Sequence, residues 1–264
     1  MKIDIIGTVE FNFNNLKGGL QLGNYKIVDT NDNHSDLCVL PNGNFLFTNY
    51  FTSKDLSIYD KNFTFIKDIK NINNKELHAL SVETNSKNRI YINSNSRIIM
   101  TDLDFNYLNE YGSNSNQISS PQGMLFHNES LYVCDRDDKC IVKLDGNLKL
   151  RAKNYLDAKP IQIQILNNLA CIVPSNEDHF MYFYDLTDFT LKFKYDKCSQ
   201  IAVQSDKFLC LKQQQITYYD KNGVMIDSVL IKPINGENIV GTPFLKVNNN
   251  KLFAHLFARK MMIF

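Results

Sequence analysis

The chain of 264 residues is poor in several things, and each shortage removes a class of protein. Charge of one sign is missing: 29 Lys and Arg stand against 28 Asp and Glu, for a net charge of +1. A bulk polycation that holds nucleic acid by charge alone is excluded, although locally basic faces are not. No apolar run approaches membrane-spanning length. The opening residues are interrupted by Asp4 and Glu10, which argues against a secretory signal. Sustained helical spacing of apolar residues over three turns is missing as well, so helix is expected to be almost absent. No Gly-rich phosphate loop, nucleophile elbow or Cys/His pair occurs. None of the six cysteines forms a Cys-x-x-Cys pair, and most sit inside apolar runs, so reduced, buried thiols are expected. Cys134 and Cys140 flank one turn and are the pair with an opportunity to join.

What is present is a repeat. The stretch PQGMLFHNESLYVCDRDDKCIVKLDGNLKL, residues 121–150, holds four short apolar runs separated by turn formers rich in Asn, Asp and Gly. Such alternation is the signature of an antiparallel meander. Its second run, Leu131-Tyr132-Val133, has counterparts along the whole chain. Their first apolar positions are Phe45, Ile90, Leu131, Leu169, Phe208 and Leu252, spaced 38–45 residues apart. A second marker, an apolar run ending in Asp, follows at Asp60, Asp102, Asp145, Asp185 and Asp220. After each Asp comes one more strand, over residues 63–69, 105–111, 148–155, 189–195 and 224–231.

In the sixth copy the chain stops before that strand, and residues 2–11 offer a spare one. The sequence therefore predicts a single all-β domain over 1–264, a six-bladed β-propeller. Strand 2–11 is expected to complete the blade formed by 242–264, because full closure removes open sheet edges. Residues 12–36 read as a surface loop, with an extra short strand at 25–28. A β-sandwich, or two all-β domains in series, is the rival fold, but neither explains six copies of one pattern.

With no tryptophan, the Trp-Asp dipeptide of WD40 blades is absent, and kelch double glycines are absent from the repeat. Residues Pro121, Gly123, Leu131-Tyr132-Val133, Asp135 and Ile141 to Asp145 instead resemble an NHL repeat, although Asp138-Lys139-Cys140 stands where its Asn-His-Leu triplet would be. The resemblance implies a recognition module similar to the C-terminal propellers of TRIM-NHL ubiquitin ligases, which bind RNA or protein. No RING or B-box spacing accompanies it.

The repeat register also sorts the loops onto two rims. One rim receives the approaches to the inner strands and the links between second and third strands. It holds Tyr50, Phe51, Lys54, Lys75, His78, Arg97, Gln122, Arg136, Lys139, Lys159, Gln162, Lys212, Arg259 and Lys260 as candidate binding residues. The opposite rim takes the acids Asp60, Asp102, Asp104, Asp145, Asp185, Asp188 and Asp220. A shallow cationic rim with aromatics suits an acidic protein segment or single-stranded RNA. Only Asp36 and His78 fall at inner-strand starts with metal-ligand chemistry, and two ligands do not make a metal site. The expected function is a non-catalytic binding platform without cofactor or metal, cytoplasmic and monomeric. The alternative is a metal-dependent hydrolase or lyase at the channel mouth, of the six-bladed lactonase or amidating-lyase type.

Overall fold

A computed structural model of the chain describes residues 26–29, 34–50, 56–112, 114, 117–175, 180–196, 198–212, 215–230, 245–248, 251–256 and 260–263; of 26–29 and of residues beyond 228 it describes the backbone only. Among the described residues there is no helix. Five blades are each built from four consecutive antiparallel strands, ordered inside to outside. The first is Asp36–Val39, Phe45–Thr48, Leu56–Tyr59 and Phe65–Ile69. The second is Ala79–Thr84, Ile90–Ser94, Arg97–Thr101 and Tyr107–Tyr111. Pro121–His127, Ser130–Asp135, Cys140–Asp145 and Leu150–Tyr155 form the third. The fourth is Pro160–Leu166, Leu169–Pro174, Phe180–Asp185 and Leu191–Asp196. The fifth is Gln200–Gln204, Lys207–Lys212, Gln215–Asp220 and Met225–Leu230.

The expected six-bladed ring closed by residues 2–11 is corrected here. Beyond the five blades, one further four-stranded sheet joins the two ends of the described chain. Leu245–Asn248, Lys251–Leu256 and Lys260–Ile263 take as their outer neighbour Lys26–Asp29, with Lys26 opposite Ile263 and Asp29 opposite Lys260. Residues 2–11 lie outside the described residues. The physical reason is the length of the link. A strand ending at Asp29 feeds directly into the first inner strand at Asp36, as the other outer strands feed their successors, and short connections are the rule in such folds.

Packing between blades explains why the repeat reads so strongly. In the third blade, Leu131 and Val133 pack with Ile98 and Met100 of the second. The alternate residues Tyr132 and Cys134 pack with Ile163 and Ile172 of the fourth. Successive side chains of a strand point to opposite faces. A middle strand buried on both faces is therefore apolar at nearly every position. The same alternation keeps Cys134 and Cys140 apart, since Cys140 faces the second blade. All six cysteines are free and buried.

In four of the five blades the recurrent Asp organises its turn in the same way. Asp60 Oδ1 accepts the N–H groups of Asn62 and Thr64, both at 2.8 Å. Asp102, Asp145 and Asp220 each accept the corresponding pair. The third residue after each Asp then turns with positive φ: Phe63 at 65°, Phe105 at 65°, Leu148 at 64° and Gly223 at 78°. The left-handed conformation costs a side-chain-bearing residue about 1–2 kcal/mol. Phe63 and Leu148 offset it by burying their side chains, 5 % and 4 % exposed, a gain of about 1.5–3 kcal/mol each.

Candidate binding cleft

The cleft grows from the approaches to the inner strands on the face opposite the Asp turns. Each approach is latched by the last residues of the neighbouring second strand. Ser94 Oγ accepts the His78 N–H at 2.7 Å. The carboxylate of Asp135, fully buried, accepts the N–H groups of Ser119 and Ser120 at 3.0 and 2.8 Å. In the first blade Asn49 plays this part, with Oδ1 2.5 Å from His34 Nδ1 and Nδ2 donating to Ser57 Oγ. The His34 ring packs on Phe47 at a tilt of 31°, with ring centroids 4.3 Å apart.

Between the first, second and third blades these latched segments leave an open cleft of about 600 Å3. It is lined by Tyr50, His78, Leu80, Asn93, Asn95, Ser96, Ser120, Pro121 and Gln122. A second cleft of about 520 Å3 continues from it through His78 and Asn95, and holds Lys75, Glu76, Arg97, Glu110 and Gly112. Two hairpins shape this wall. Asn71–Ile72 and Lys75–Glu76 pair around Asn73-Asn74, both at positive φ, and buried Ile72 anchors the hairpin in the core between the first two blades. Asn95-Ser96, also at positive φ, turn the chain between the second and third strands of the second blade.

The lining is amide and hydroxyl rather than ionic. Asn93 Nδ2 donates to the carbonyls of both Pro121 and Gln122, and Ser81 Oγ also donates to Gln122. Tyr50 stands 51 % exposed at the mouth. The two cations of the second cleft share one acid: Lys75 Nζ lies 3.2 Å and Arg97 Nη1 3.5 Å from the Glu110 carboxylate. Arg97 and Glu110 are each only 12 % exposed in their side chains, whereas Lys75 is 51 % exposed. The Arg97 Nε is buried without a hydrogen-bond partner.

The structure thus gathers Tyr50, Lys75, His78, Arg97 and Gln122 of the expected rim into one region. It does not gather the rest there. Arg136 forks onto the neighbouring Asp137, at 2.8 and 3.2 Å. Lys139 is a turn residue at positive φ whose carbonyl accepts the Leu156 N–H. The Lys159 carbonyl similarly accepts Ser175. Gln162 is a clasp between blades rather than a rim contact, with Nε2 on the Ile201 carbonyl and Oε1 on its N–H. Lys212 closes the hairpin to Gln215, and Lys260 begins the strand opposite Asp29. Phe51, Lys54 and Arg259 lie outside the described residues. Asp36 is buried and ties blades together: its Oδ2 accepts the Val82 N–H at 3.1 Å. Sequence reasoning missed Asn93, Asn95, Ser96, Ser120 and Glu110. The run Asn93-Ser94-Asn95-Ser96 directly after a repeat marker was the available signal.

Fold and cleft together define a β-propeller with a polar, open cleft across three neighbouring blades. No protein-family model matches the chain, and no curated protein matches it. Solved structures do. The chain is similar to streptogramin B lyase, with a TM-score of 0.68 at 12% identity over 91% of this chain and 97% of that one. It is similar to the Cps50 (Swd1) β-propeller domain of Myceliophteria thermophila, with a TM-score of 0.61 at 8% identity over 88% and 83% of the two chains. It is also similar to BamB from Moraxella catarrhalis, with a TM-score of 0.56 at 12% identity over 90% and 88%. At such identities the likeness is one of fold.

Proposed function

We propose that this propeller is a recognition module that binds an extended protein segment across the cleft between Tyr50 and Gln122. The observation that carries the reading is the junction of Tyr50, His78, Asn95 and Gln122 around one continuous opening. Amide and hydroxyl side chains offer both donors and acceptors, which matches the alternating N–H and C=O groups of an extended peptide. A half-exposed tyrosine supplies a rigid amphipathic anchor. Phosphate binding is less favoured than the cation count of this face implies, because Glu110 holds Lys75 and Arg97 and Asp137 holds Arg136.

The NHL-like pattern supports the same reading, and two of its positions have structural work. Asp135 latches the approach to its blade, and Gly123 lets the inner strand come close to its neighbour. In this reading the chain is the recognition part of a TRIM-NHL-like ligase system. Six buried free thiols fit a reducing cytoplasm.

A displayed random-peptide library selected on the purified chain tests the proposal. The enriched peptide should bind with a dissociation constant that weakens about ten-fold or more in Tyr50→Ala and in Gln122→Ala, with melting temperature unchanged. Random single-stranded RNA bound at low salt more tightly than any enriched peptide would transfer the cleft to nucleic acid. A second reading, a channel-mouth hydrolase or lyase, rests on His78, the imidazole that lines both clefts. Among the described residues no three His, Cys, Asp or Glu side chains are grouped to hold a metal ion. Acid–base catalysis by His78 is therefore the part of that reading these residues supply.

A further inference from the structure

Three sulfur atoms meet in the contact between the fourth and fifth blades. Cys198 Sγ lies 3.8 Å and Cys210 Sγ 3.6 Å from Met181 Sδ. The three come from separate parts of the chain: Met181 from the third strand of the fourth blade, Cys198 from the link between blades, and Cys210 from the second strand of the fifth. All three are at most 3 % exposed, and the surrounding cluster, including Phe183, Ile201 and Phe208, is apolar.

A buried thiol alone is a small packing group. Two thiols converging on one thioether have a more specific geometry. Metal–thiolate bonds of about 2.3 Å set the sulfur–sulfur edges of a trigonal site near about 4 Å. The two observed edges, 3.8 and 3.6 Å, need to open by only a few tenths of an ångström. The donor set contains no oxygen or nitrogen, and thiolate with thioether selects soft ions such as Cu(I). We propose that Met181, Cys198 and Cys210 form a binding site for a soft monovalent cation, Cu(I) or its analogue Ag(I).

Loading involves no redox change. Both thiols give their protons to solvent and bind the ion as thiolates, while the Met181 thioether donates as a neutral ligand. One thiolate cancels the charge of the ion, and the second leaves the site with a net charge of −1. Burying that charge costs free energy, so loading should weaken as pH falls. The stoichiometry follows: one ion taken up and two protons released.

The test is an anaerobic titration of the reduced, full chain with Cu(I) against bicinchoninate, repeated with Ag(I). It is followed by sulfur-to-copper absorption in the near ultraviolet and by a pH indicator. One ion per chain with two protons released is expected. Met181→Leu keeps the volume and should weaken binding about ten-fold or more. Cys198→Ser with Cys210→Ser should abolish binding, whereas Cys38→Ser with Cys134→Ser should leave it intact. The site is refuted if the folded wild-type chain takes up no stoichiometric ion. Binding that persists in the Cys198/Cys210 variant, or is unchanged in a Met181→Leu chain that melts like the parent, refutes it equally.

Discussion

Gln162 grips the backbone of Ile201 with both ends of its amide: Oε1 accepts the Ile201 N–H at 3.0 Å, and Nε2 donates to the Ile201 carbonyl at 2.9 Å. Inner strands of neighbouring blades meet side by side without a shared ladder, so their facing backbone groups need side-chain partners. Asp36 on Val82 and Asn93 on Pro121 and Gln122 serve the earlier contacts in the same way.

Replacing Gln162 by Leu keeps the apolar stem and leaves both Ile201 groups without their partner. Each orphaned group costs about 1–3 kcal/mol. A lower urea midpoint with an unchanged m-value is expected. An unshifted midpoint would show the clasp to be dispensable.

Two glycines of the third blade should respond differently to Ala. A Cβ on Gly123 would stand 2.7 Å from the Ile161 carbonyl oxygen, a backbone atom that cannot swing aside. At Gly146 the nearest atom is 3.7 Å away. Gly123→Ala should cost about 1–3 kcal/mol, while Gly146→Ala should leave the melting temperature near that of the parent. Equal effects would contradict the close approach of the third and fourth blades.

Acid should loosen the turns. Hydrogen bonds from the Thr64 backbone hold Asp60 below the usual carboxylate range, and those from the Val224 backbone do the same for Asp220. The Asn106 side chain acts first on Asp102, and the Thr187 backbone on Asp185. A depressed folded pKa means stability that is fully present above the unfolded value, near about 4, and lost as pH falls through the folded value. Melting temperature should fall on going from pH 5 towards pH 3, and the slope should be shallower in an Asp60→Ser, Asp220→Ser chain. Parallel slopes would remove these turns from the acid response.

Thiol reactivity should be all or none. Burial pushes the thiols of Cys134, Cys171 and Cys210 well above their ordinary value, and Cys140 to about 11. Thiolate is the reactive form. The native chain should be silent towards Ellman's reagent, with six thiols appearing in denaturant. Rapid native reaction at any one would place that cysteine at the surface.

Removing residues 1–29 takes away Lys26–Asp29 and uncovers the Lys260–Ile263 strand edge. Uncovered edges invite pairing between chains. Concentration-dependent aggregation by light scattering is expected. A monomeric, equally stable truncated chain would mean that this strand does not close the ring.

The repeat was legible because of its own chemistry. Leu131-Tyr132-Val133 and its counterparts in the other four blades are buried on both sides, so they stay apolar without alternation. Each turn into an outer strand needs a carboxylate to gather its N–H groups, so an Asp recurs. The cationic rim was legible as a list of Lys and Arg. Its neutralisation was not, because Glu110 lies on an outer strand and reaches Lys75 and Arg97 only after the sheet has formed. Asn95 and Ser96 are turn residues at positive φ, and their place beside a cleft depends on which blade stands next to them.

By itself, the order of residues determined that this is an all-β chain of recurring four-stranded units, since apolar spacing and turn chemistry act over a few residues. Only the tertiary structure decided that Lys26–Asp29 pairs with Lys260–Ile263, that Tyr50 and Gln122 share a cleft, and that three sulfurs meet between two blades. Those contacts join parts of the chain far apart in number, and local propensity carries no information about them.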